Sequence, residues 1–181
     1  NDYASTILAP GSLLVATPDM KDSHFSRAVI LLIAYSTHDG AMGLILNHPL
    51  TVDQMDDNSP IASWMESSQS PPTIFLGGPV EPNGYICMTP DSSALSGLRS
   101  VDIESISSVH IDGPHRVFRG YSGWGTGQLE DEVTFNSWYI VPSQSTDVLT
   151  TSPDTLWNDV LQRQDGPLKK LGLFPTNPEV N

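Results

Sequence analysis

The chain has 181 residues, of which 38% are apolar, and it carries 21 acidic side chains against 8 basic ones. This length and composition predict one globular domain rather than a disordered or repetitive chain. The net charge of −13 argues against direct binding to nucleic acid or to anionic membrane surfaces, because both depend on Lys and Arg side chains.

Cysteine content and hydropathy bear on disulfides, zinc sites and membrane insertion. Cys87 is the single cysteine, so the chain can form neither an internal disulfide nor a cysteine-cage zinc site. Because Cys87 lies in an apolar run, we expect a buried structural thiol. No stretch approaches the roughly 20 apolar residues of a membrane span, and no signal-peptide pattern is present. We therefore expect a cytoplasmic protein that does not insert into membranes.

Short runs of apolar and β-branched residues, separated by turn residues, predict a series of strands. The predicted strands are 11–16, 27–35, 41–46, 73–76, 85–88, 98–101, 116–121 and 138–141. His38-Asp39-Gly40 has the turn chemistry of a hairpin between the second and third strands. The strands do not alternate regularly with helices, so the sequence predicts an α+β fold with a mixed sheet.

Three helices are predicted between these strands. Pro60 opens the first, which runs to Met65, and Gln128 opens the second. The third begins after Ser152, which we expect to cap it, with Pro153 in the first turn. We expect residues 1–10 to be a flexible N-terminal lead-in and residues 11–181 to form a single domain.

The segment Gly120-Tyr-Ser-Gly-Trp-Gly-Thr-Gly-Gln-Leu-Glu130 stands out within this pattern. It follows the strand at 116–121 and precedes the second helix, so we interpret it as strand, tight turn and helix. Its glycines give the backbone freedom that other residues lack. Trp124 in its centre must either be buried or await a partner.

Several ordered blocks share one resemblance. The blocks are Gly11-Ser-Leu-Leu-Val-Ala-Thr-Pro-Asp19 with Asp22 and Phe25, Gly40-Ala-Met-Gly-Leu-Ile-Leu-Asn-His-Pro-Leu50, Phe75-Leu-Gly-Gly-Pro-Val80, Gly120 to Glu132, Trp138, and Leu156-Trp157. With them the chain resembles the bacterial YqgE/AlgH-like family, also called UPF0301, over nearly its whole length.

That resemblance implies a bulged mixed β-sheet partly closed into a pseudo-barrel, with helices packed outside. It implies no established reaction and no cofactor. One branch of the family is named for a proposed role as a positive transcriptional regulator. Two positions depart from the usual family pattern: His48 stands where arginine is common, and Thr126 where proline is frequent. The first departure weakens any inferred anion contact at that position.

The ends of two predicted strands and the glycine-rich turn suggest a ligand site. Gly77-Gly78 follows one strand and is predicted to mark a bend where another backbone comes near. If these elements converge, they outline a cleft with aromatic walls, which is a usual form of ligand site. The predicted site residues are Asn47, His48, Gly77, Gly78, Tyr121, Ser122, Trp124 and Gln128.

More specific chemistry at the glycine-rich turn is disfavoured. The turn could present N–H groups to an anion beside Arg116 and Arg119, but it lacks a phosphate-loop motif, and a structural turn is preferred. Ser122 lies in a strand–turn–helix context, as in a hydrolase elbow, yet Trp124 replaces the second glycine of that motif.

Metal sites are equally disfavoured. Asp19, Asp22 and His24 cluster without a recognised ligand spacing, and the acidic residues between 53 and 57 are interpreted as a solvated loop. The lone histidines His110 and His115 are interpreted as surface or hydrogen-bonded residues rather than ligands.

The leading hypothesis is a non-catalytic binding or regulatory protein with an unknown small-molecule or protein partner. The alternative is an enzyme of unrecognised type that uses the same cleft, with Asp22, Asn47, His48 or Gln128. A third hypothesis, a DNA-binding regulator, is disfavoured by the charge and by the absence of a recognisable helix-turn-helix motif.

Overall fold

The computed structural model of the protein describes residues 8–20, 22–50, 61–103 and 113–174. Its strands are β1 Ser12–Ala16, β2 Val29–Ser36, β3 Gly40–Ile45, β4 Phe75–Leu76, β5 Val80–Pro90, β6 Leu98–Val101, β7 Arg116–Trp124 and β8 Trp138–Pro142. Its helices are α1 Ile61–Glu66, α2 Gln128–Thr134, α3 Leu156–Gln162 and α4 Pro167–Leu171, and a short 3-10 turn at Pro153–Thr155 leads into α3.

The strands form one sheet in the order β6-β5-β7-β3-β2-β1-β8. Neighbours along this path are antiparallel, whereas β4 lies beside the path and pairs in parallel with β7. The sheet is therefore mixed, and the predicted α+β fold class is confirmed. Register shifts in the β2–β3 and β5–β7 pairings confirm that it is bulged.

The strongest hydrophobic signal in the sequence occupies the middle of the sheet. All five residues of β1 and the first four of β2 are buried, because helices or other strands cover both faces there. Leu13 and Leu31 face one apolar cluster, and Leu14 and Ile30 face another on the opposite side.

The sheet is curled into a half-barrel. A single apolar cluster contains Leu98 of β6 and Val141 of β8, which are the two ends of the sheet, together with residues of the strands between them. A flat sheet would keep its two end strands apart, so this shared cluster lines the inner face of the curl. Trp157 and Leu161 of α3 and Leu168 of α4 complete this inner cluster.

The opposite, outer face carries two smaller clusters. Leu129 of α2 packs there with Trp124, Trp138 and residues of β1 and β2. Farther along the sheet, Trp64 of α1 packs with Cys87 and Val117. Cys87 is fully buried, as predicted, and burial raises the pKa of its thiol to about 12.

Most predicted elements are confirmed, including the hairpin between β2 and β3 and the strand–turn–helix at β7 and α2. The first predicted helix is α1, although its predicted first turn at Pro60 lies outside the described residues. Two predictions need correction. The strand at 85–88 is part of the longer β5, and α4 was not predicted, because its five residues are too few to show a helical period.

The predicted helix cap is also corrected. The side chain of Ser152 makes no capping hydrogen bond, and its carbonyl oxygen accepts one from the Thr155 N–H instead. Trp157, Val160 and Leu161 lie on one buried face of α3.

At the N-terminus, residues 1–7 of the expected flexible lead-in lie outside the described part, and Leu8 packs against the outer apolar cluster. Among the described residues, no helix has the length and apolar character that crossing a membrane requires.

Candidate functional site

The predicted bend at Gly77-Gly78 is packed directly against the glycine-rich strand. The Gly77 N–H donates to the Arg119 carbonyl oxygen (2.8 Å), and the Ser122 hydroxyl donates to the Gly77 carbonyl oxygen (3.1 Å). A Cβ on Gly78 would lie 2.2 Å from the Tyr121 carbonyl carbon. Glycine is therefore required here, because two backbones cross with no room for a side chain.

The end of β3 meets the same region through its backbone. The His48 carbonyl oxygen accepts a hydrogen bond from the Leu76 N–H (2.7 Å), so the segment after β3 lies beside the end of β4, next to β7. The Asn47 carboxamide is already engaged, since it accepts from the Val29 N–H (3.0 Å) and donates to the Arg27 carbonyl oxygen (2.9 Å). Burial lowers the pKa of His48, and the nearby His24 lowers it further.

The predicted aromatic walls lie on opposite faces of the sheet. Gly120 has φ 69°, which shifts the side-chain alternation of β7. Tyr121 consequently packs against the inner cluster, whereas Trp124 is only 6% exposed in the outer cluster and stacks edge-to-face on Trp138. Tyr121 and Trp124 therefore do not share one wall.

The remaining polar groups of the turn also have internal partners. Ser122 is fully buried, and Gln128 Oε1 accepts from the Gly125 N–H (3.1 Å). Thr126 donates to the His38 carbonyl oxygen (2.7 Å) and so ties the turn to the β2–β3 hairpin. Of the eight predicted site residues, Gly77, Gly78, Tyr121 and Ser122 form a closely packed backbone crossing, and ligand binding by the eight stays a prediction.

Arg116, weighed above as an anion contact, is instead a buried structural cation. Its guanidinium donates four hydrogen bonds to backbone carbonyl oxygens, and it stacks 4.1 Å from the ring centre of Phe75. The four acceptors are the carbonyl oxygens of Gln69, Ser70, Val148 and Thr150. Burial lowers the pKa of Arg116 to about 10, so it remains charged at neutral pH while being inaccessible to an anion.

A cavity lies elsewhere, where the two ends of the half-barrel approach each other. It has a volume of about 980 Å³ and is open to solvent. On one side lie the turn between β5 and β6 and the start of β6, and on the other lie the start of β1 and the segment that follows β8. A Cβ on Gly11 would lie 2.9 Å from the Leu95 carbonyl oxygen, so the β5–β6 turn reaches across to β1. We call this cavity the edge cleft.

The edge cleft has an apolar floor and a hydroxyl-rich rim. Leu31, Leu98 and Val148 of the inner cluster form the floor. The polar residues that line the cleft are Ser12, Asp91, Ser92, Ser96, Ser143, Gln144, Ser145 and Asp147. No Lys, Arg or His side chain is among the described residues of its lining. Arg163 nevertheless contacts the lining residues Gln144 and Asp147 from outside the cleft.

The two carboxylates of the cleft differ in whether their negative charge is already paired within the protein. Asp147 is buried and paired with Arg163 (2.7 Å), and it also accepts from the Gln144 N–H (2.8 Å), so its charge is neutralised. Asp91 accepts two hydrogen bonds from Ser93, which lower the pKa of its carboxyl group. Asp91 therefore carries an open negative charge at neutral pH.

A serine–histidine contact at α1 was not anticipated from the sequence. Ser67 Oγ lies 3.0 Å from His115 Nε2, and His115 is buried. However, His115 Nδ1 has no hydrogen-bond partner among the described residues to orient the ring. Ser67 also donates to the Ser63 carbonyl oxygen (3.0 Å) at the C-terminal end of α1, where the helix dipole opposes a developing alkoxide. The contact is therefore structural in character.

The structure describes one of the two acidic clusters that were considered as metal sites. In the described ranges, no group of three or more His, Cys, Asp or Glu residues is arranged to hold a metal ion. Asp22 instead accepts from the His24 N–H (2.9 Å), whereas residues 53–57 and His110 lie outside the described residues.

The residues of the edge cleft were missed because their only sequence signal is ordinary. Asp91-Ser-Ser and Ser143-Gln-Ser read as polar turns, which occur in most domains. Nothing in their spacing shows that the sheet curls far enough to bring the two turns together.

Comparison with known proteins agrees with this architecture. A family model, DUF179, described as AlgH-like, matches residues 13–169, which is most of the chain. This chain belongs to the AlgH-like family. Curated relatives carry the name UPF0301 protein: one from Streptomyces coelicolor is 37% identical over 94% of both chains, and one from Chlamydia trachomatis is 34% identical over 97% of this chain and 96% of its own.

Two solved structures share the AlgH-like fold. Protein DIP2367 from Corynebacterium diphtheriae superposes with a TM-score of 0.74 at 26% identity and covers 92% of both chains. The solution structure of AlgH from Pseudomonas aeruginosa gives a TM-score of 0.67 at 24% identity, covering 92% of this chain and 94% of its own. The half-barrel is therefore the shared architecture, and the resemblance stated from the sequence is confirmed.

Proposed function

We propose that this AlgH-like protein is a non-catalytic binding protein whose small-molecule ligand occupies the edge cleft. The observation that carries the proposal is the lining of that cleft: hydroxyl and carboxylate groups surround an apolar floor, without a described basic side chain. A volume of about 980 Å³ lies within the range of small-molecule sites.

The lining also limits the class of ligand. The carboxylate of Asp91 would repel phosphates and carboxylates, while serine hydroxyls can both donate and accept hydrogen bonds. The ligand is therefore a neutral polyhydroxylated molecule or an organic cation with an apolar part. Any regulatory activity of the kind in the family label would act through such binding rather than through DNA contact, given the charge of −13.

Thermal-shift measurements test the proposal with three compound panels: neutral sugars and polyols, organic amines, and anionic nucleotides. We expect the melting temperature to rise with a member of the first two panels, because a ligand that binds only the folded state stabilises it. The Ser145→Trp substitution places a large ring in the cleft and should abolish the rise. Thr146→Trp is the matched control, because Thr146 is equally exposed but does not line the cleft.

Each outcome bears on the site. A rise that Thr146→Trp retains and Ser145→Trp loses supports the edge cleft. A rise that survives Ser145→Trp but is lost in Gln128→Ala would move the ligand to the glycine-rich turn predicted from the sequence. Stabilisation by nucleotides alone, or by no compound of the three panels, would reject the proposal.

A further inference from the structure

The outer edge of β8, with which no described strand pairs, lies at the bottom of a groove between two helices. The groove has a volume of about 420 Å³ and is separate from the edge cleft. Its described lining residues are Val133, Asn136, Trp138, Tyr139, Ile140, Pro167, Leu168 and Leu171. Val133 and Asn136 lie in or just after α2 on one wall, and Pro167, Leu168 and Leu171 lie in α4 on the other.

Hydrogen bonding in the sheet shows which backbone groups of β8 face this groove. The Thr17 N–H donates to the Ser137 carbonyl oxygen (3.0 Å), which places Ser137 in a hydrogen-bonded pair with the strand on its inner side. Such pairs alternate in an antiparallel ladder, so Tyr139 and Val141 bond to β1. The N–H and C=O groups of Trp138 and Ile140 therefore point outward, into the groove.

The same alternation holds on the other side of β1. The Ala16 N–H donates to the carbonyl oxygen of Ala28 (3.0 Å), the residue just before β2. The Ala16 carbonyl oxygen accepts a hydrogen bond from Trp157 Nε1 (2.8 Å). Ala16 is the register partner of Trp138, and its own backbone groups thus have partners away from β8. Within the described ranges, no strand pairs with the outer edge of β8.

This edge carries few of the usual protections against strand addition. Edge strands are commonly protected by charged residues, bulges, prolines or short length, whereas the five-residue β8 has one proline, Pro142 at its end, and its residues Trp138 to Val141 are uncharged and pair regularly with β1. Apolar side chains are also exposed just beyond each of the two helices, since Phe135 after α2 is 80% exposed and Leu173 after α4 is 73% exposed.

The charges on the two helices that flank the groove indicate what kind of strand would fit. Asp131 lies on α2, on the outer face of the sheet, whereas Lys169 and Lys170 lie on α4, on the inner face. Side chains of an added strand would alternate between these two faces. Its side chains toward α2 should therefore be apolar or basic, and those toward α4 apolar or acidic.

A second copy of the chain fits this edge poorly. Antiparallel pairing of two β8 strands about a two-fold axis would place α2 beside α2 and α4 beside α4. Asp131 would then lie on the same side of the sheet as its own copy, and so would Lys169 and Lys170. Like charges opposed in this way disfavour the homodimer, and a protein with a net charge of −13 repels itself further.

We propose that the groove between α2 and α4 binds an extended peptide segment of a partner protein, which adds to β8 as a further strand of the sheet. The backbone of Trp138 and Ile140 supplies the hydrogen bonds, and the walls select a segment whose apolar residues alternate with charges of opposite sign on its two faces. This is the strand-addition mode of peptide recognition.

The proposal is tested with a phage-displayed library of random dodecapeptides selected on the full chain. We expect enriched peptides with alternating apolar residues, whose synthetic forms bind with measurable affinity by fluorescence anisotropy. Ile140→Pro removes one outward N–H without removing a ladder bond to β1, since proline is tolerated at an outward position of an edge strand. We expect it to weaken binding at least tenfold. Melting temperature and circular dichroism check that the variant is folded.

Two further variants keep the test decisive. Leu171→Glu places a charge on the α4 wall and should weaken binding without touching the strand. Leu95→Ser is the matched control, because Leu95 is 88% exposed but lies in the β5–β6 turn, away from the groove. Alternate N–H groups of the bound peptide should bond to β8, and those between them should point away from it. N-methylation of the first set should therefore abolish binding, and N-methylation of the second set should leave it intact.

Three results would overturn the proposal. The first is a selection that enriches no peptide. The second is a set of peptides that bind Ile140→Pro and Leu171→Glu as tightly as the unmodified chain. The third is a dimer, measured by light scattering, that Ile140→Pro converts to a monomer, since the edge would then be occupied by a second copy.

Discussion

Arg116 is the residue whose burial most constrains the molecule. Its side chain is fully buried and connects β7 to the segment after α1 and to the segment before α3 through four backbone carbonyl oxygens. The planar guanidinium presents donors in a fixed fork, which matches several acceptors at once. Without it, all four oxygens would lose their guanidinium donor, and the buried Val148 carbonyl oxygen would be left without it in the protein interior.

Replacing Arg116 should therefore cost far more stability than replacing an exposed arginine. We expect Arg116→Ala to lower the free energy of unfolding by at least about 3 kcal/mol, because buried acceptors lose charged donors. Arg116→Lys should cost less but remain destabilising, since an ammonium group has only three donors. Arg99→Ala, at an exposed position, should change it by less than about 0.5 kcal/mol. Urea denaturation measures all three, and equal losses at Arg116 and Arg99 would contradict the account.

Glu132 is a second residue with an unusual environment. Burial raises the pKa of its carboxyl group, and the indole N–H groups of Trp124 and Trp138 offset part of that rise. Asp22 is the acidic group that faces it and raises the pKa slightly more. The Trp138 indole N–H acts on this carboxyl group from nearby without the geometry of a hydrogen bond, which agrees with burial as the dominant cause.

This raised pKa predicts how the stability of the fold depends on pH. The folded state holds the Glu132 proton more tightly than the unfolded state, so the stability it contributes is complete below about pH 4.5 and is lost as the pH rises through the folded-state pKa. Glu132→Gln should then melt at a higher temperature than the unmodified chain at pH 7, and the difference should shrink toward pH 4. Asp131→Asn, on the exposed face of the same helix, is the control. A difference that does not change with pH would refute this reasoning.

At the scale of elements, the crossing of the Gly77-Gly78 segment with β7 holds the two halves of the sheet together. β4 pairs in parallel with β7 just before this crossing, and the Gly77 carbonyl oxygen accepts from the Ile45 N–H (2.9 Å) of β3. One short segment thus bonds to two strands of the main path. The close approach, rather than a ligand, explains why Gly78 and Gly120 are both glycine.

A single methyl group should disrupt this crossing. Gly78→Ala would place a Cβ 2.2 Å from the Tyr121 backbone, so one of the two segments must move. We expect a loss of about 3 kcal/mol, at the upper end of overpacking effects. Gly125→Ala is the matched control, because its Cβ would meet only Gln128 Oε1 at 4.0 Å. Urea denaturation measures the free energy of unfolding of both variants. Similar values would show that the backbones at the crossing have more room than the structure indicates.

For the molecule as a whole, incomplete closure of the sheet accounts for both proposed sites. A sheet that closed fully would have no edges and no cleft between them. Here the two ends approach near the β5–β6 turn and leave the edge cleft, while the outer edge of β8 remains open between α2 and α4. The proposed small-molecule site and the proposed peptide groove therefore both result from the incomplete closure of the sheet. The first lies beyond the end of β8, and the second lies along its outer edge.

The sequence by itself determined the local elements, the family and the fold class. Apolar runs such as Val29 to Ile33 reveal buried strands because burial on both faces requires continuous hydrophobicity, and the glycine-rich segment reveals a strand, turn and helix through backbone freedom. It also predicted that another backbone would approach Gly77-Gly78. These properties depend on neighbours in the chain, which the sequence displays directly.

Only the tertiary structure decided how the sheet curls and what lies at its edges. Tyr121 and Trp124 lie three residues apart in β7, so strand alternation places them on opposite faces, but only the structure shows that Tyr121 faces the inner cluster and Trp124 the outer one. The burial of Arg116 and the meeting of Asp91 with Asp147 across the edge cleft depend on contacts between segments distant in the chain. Such contacts follow from the sum of twist, bulges and packing over the whole sheet, and no local pattern in the sequence records that sum.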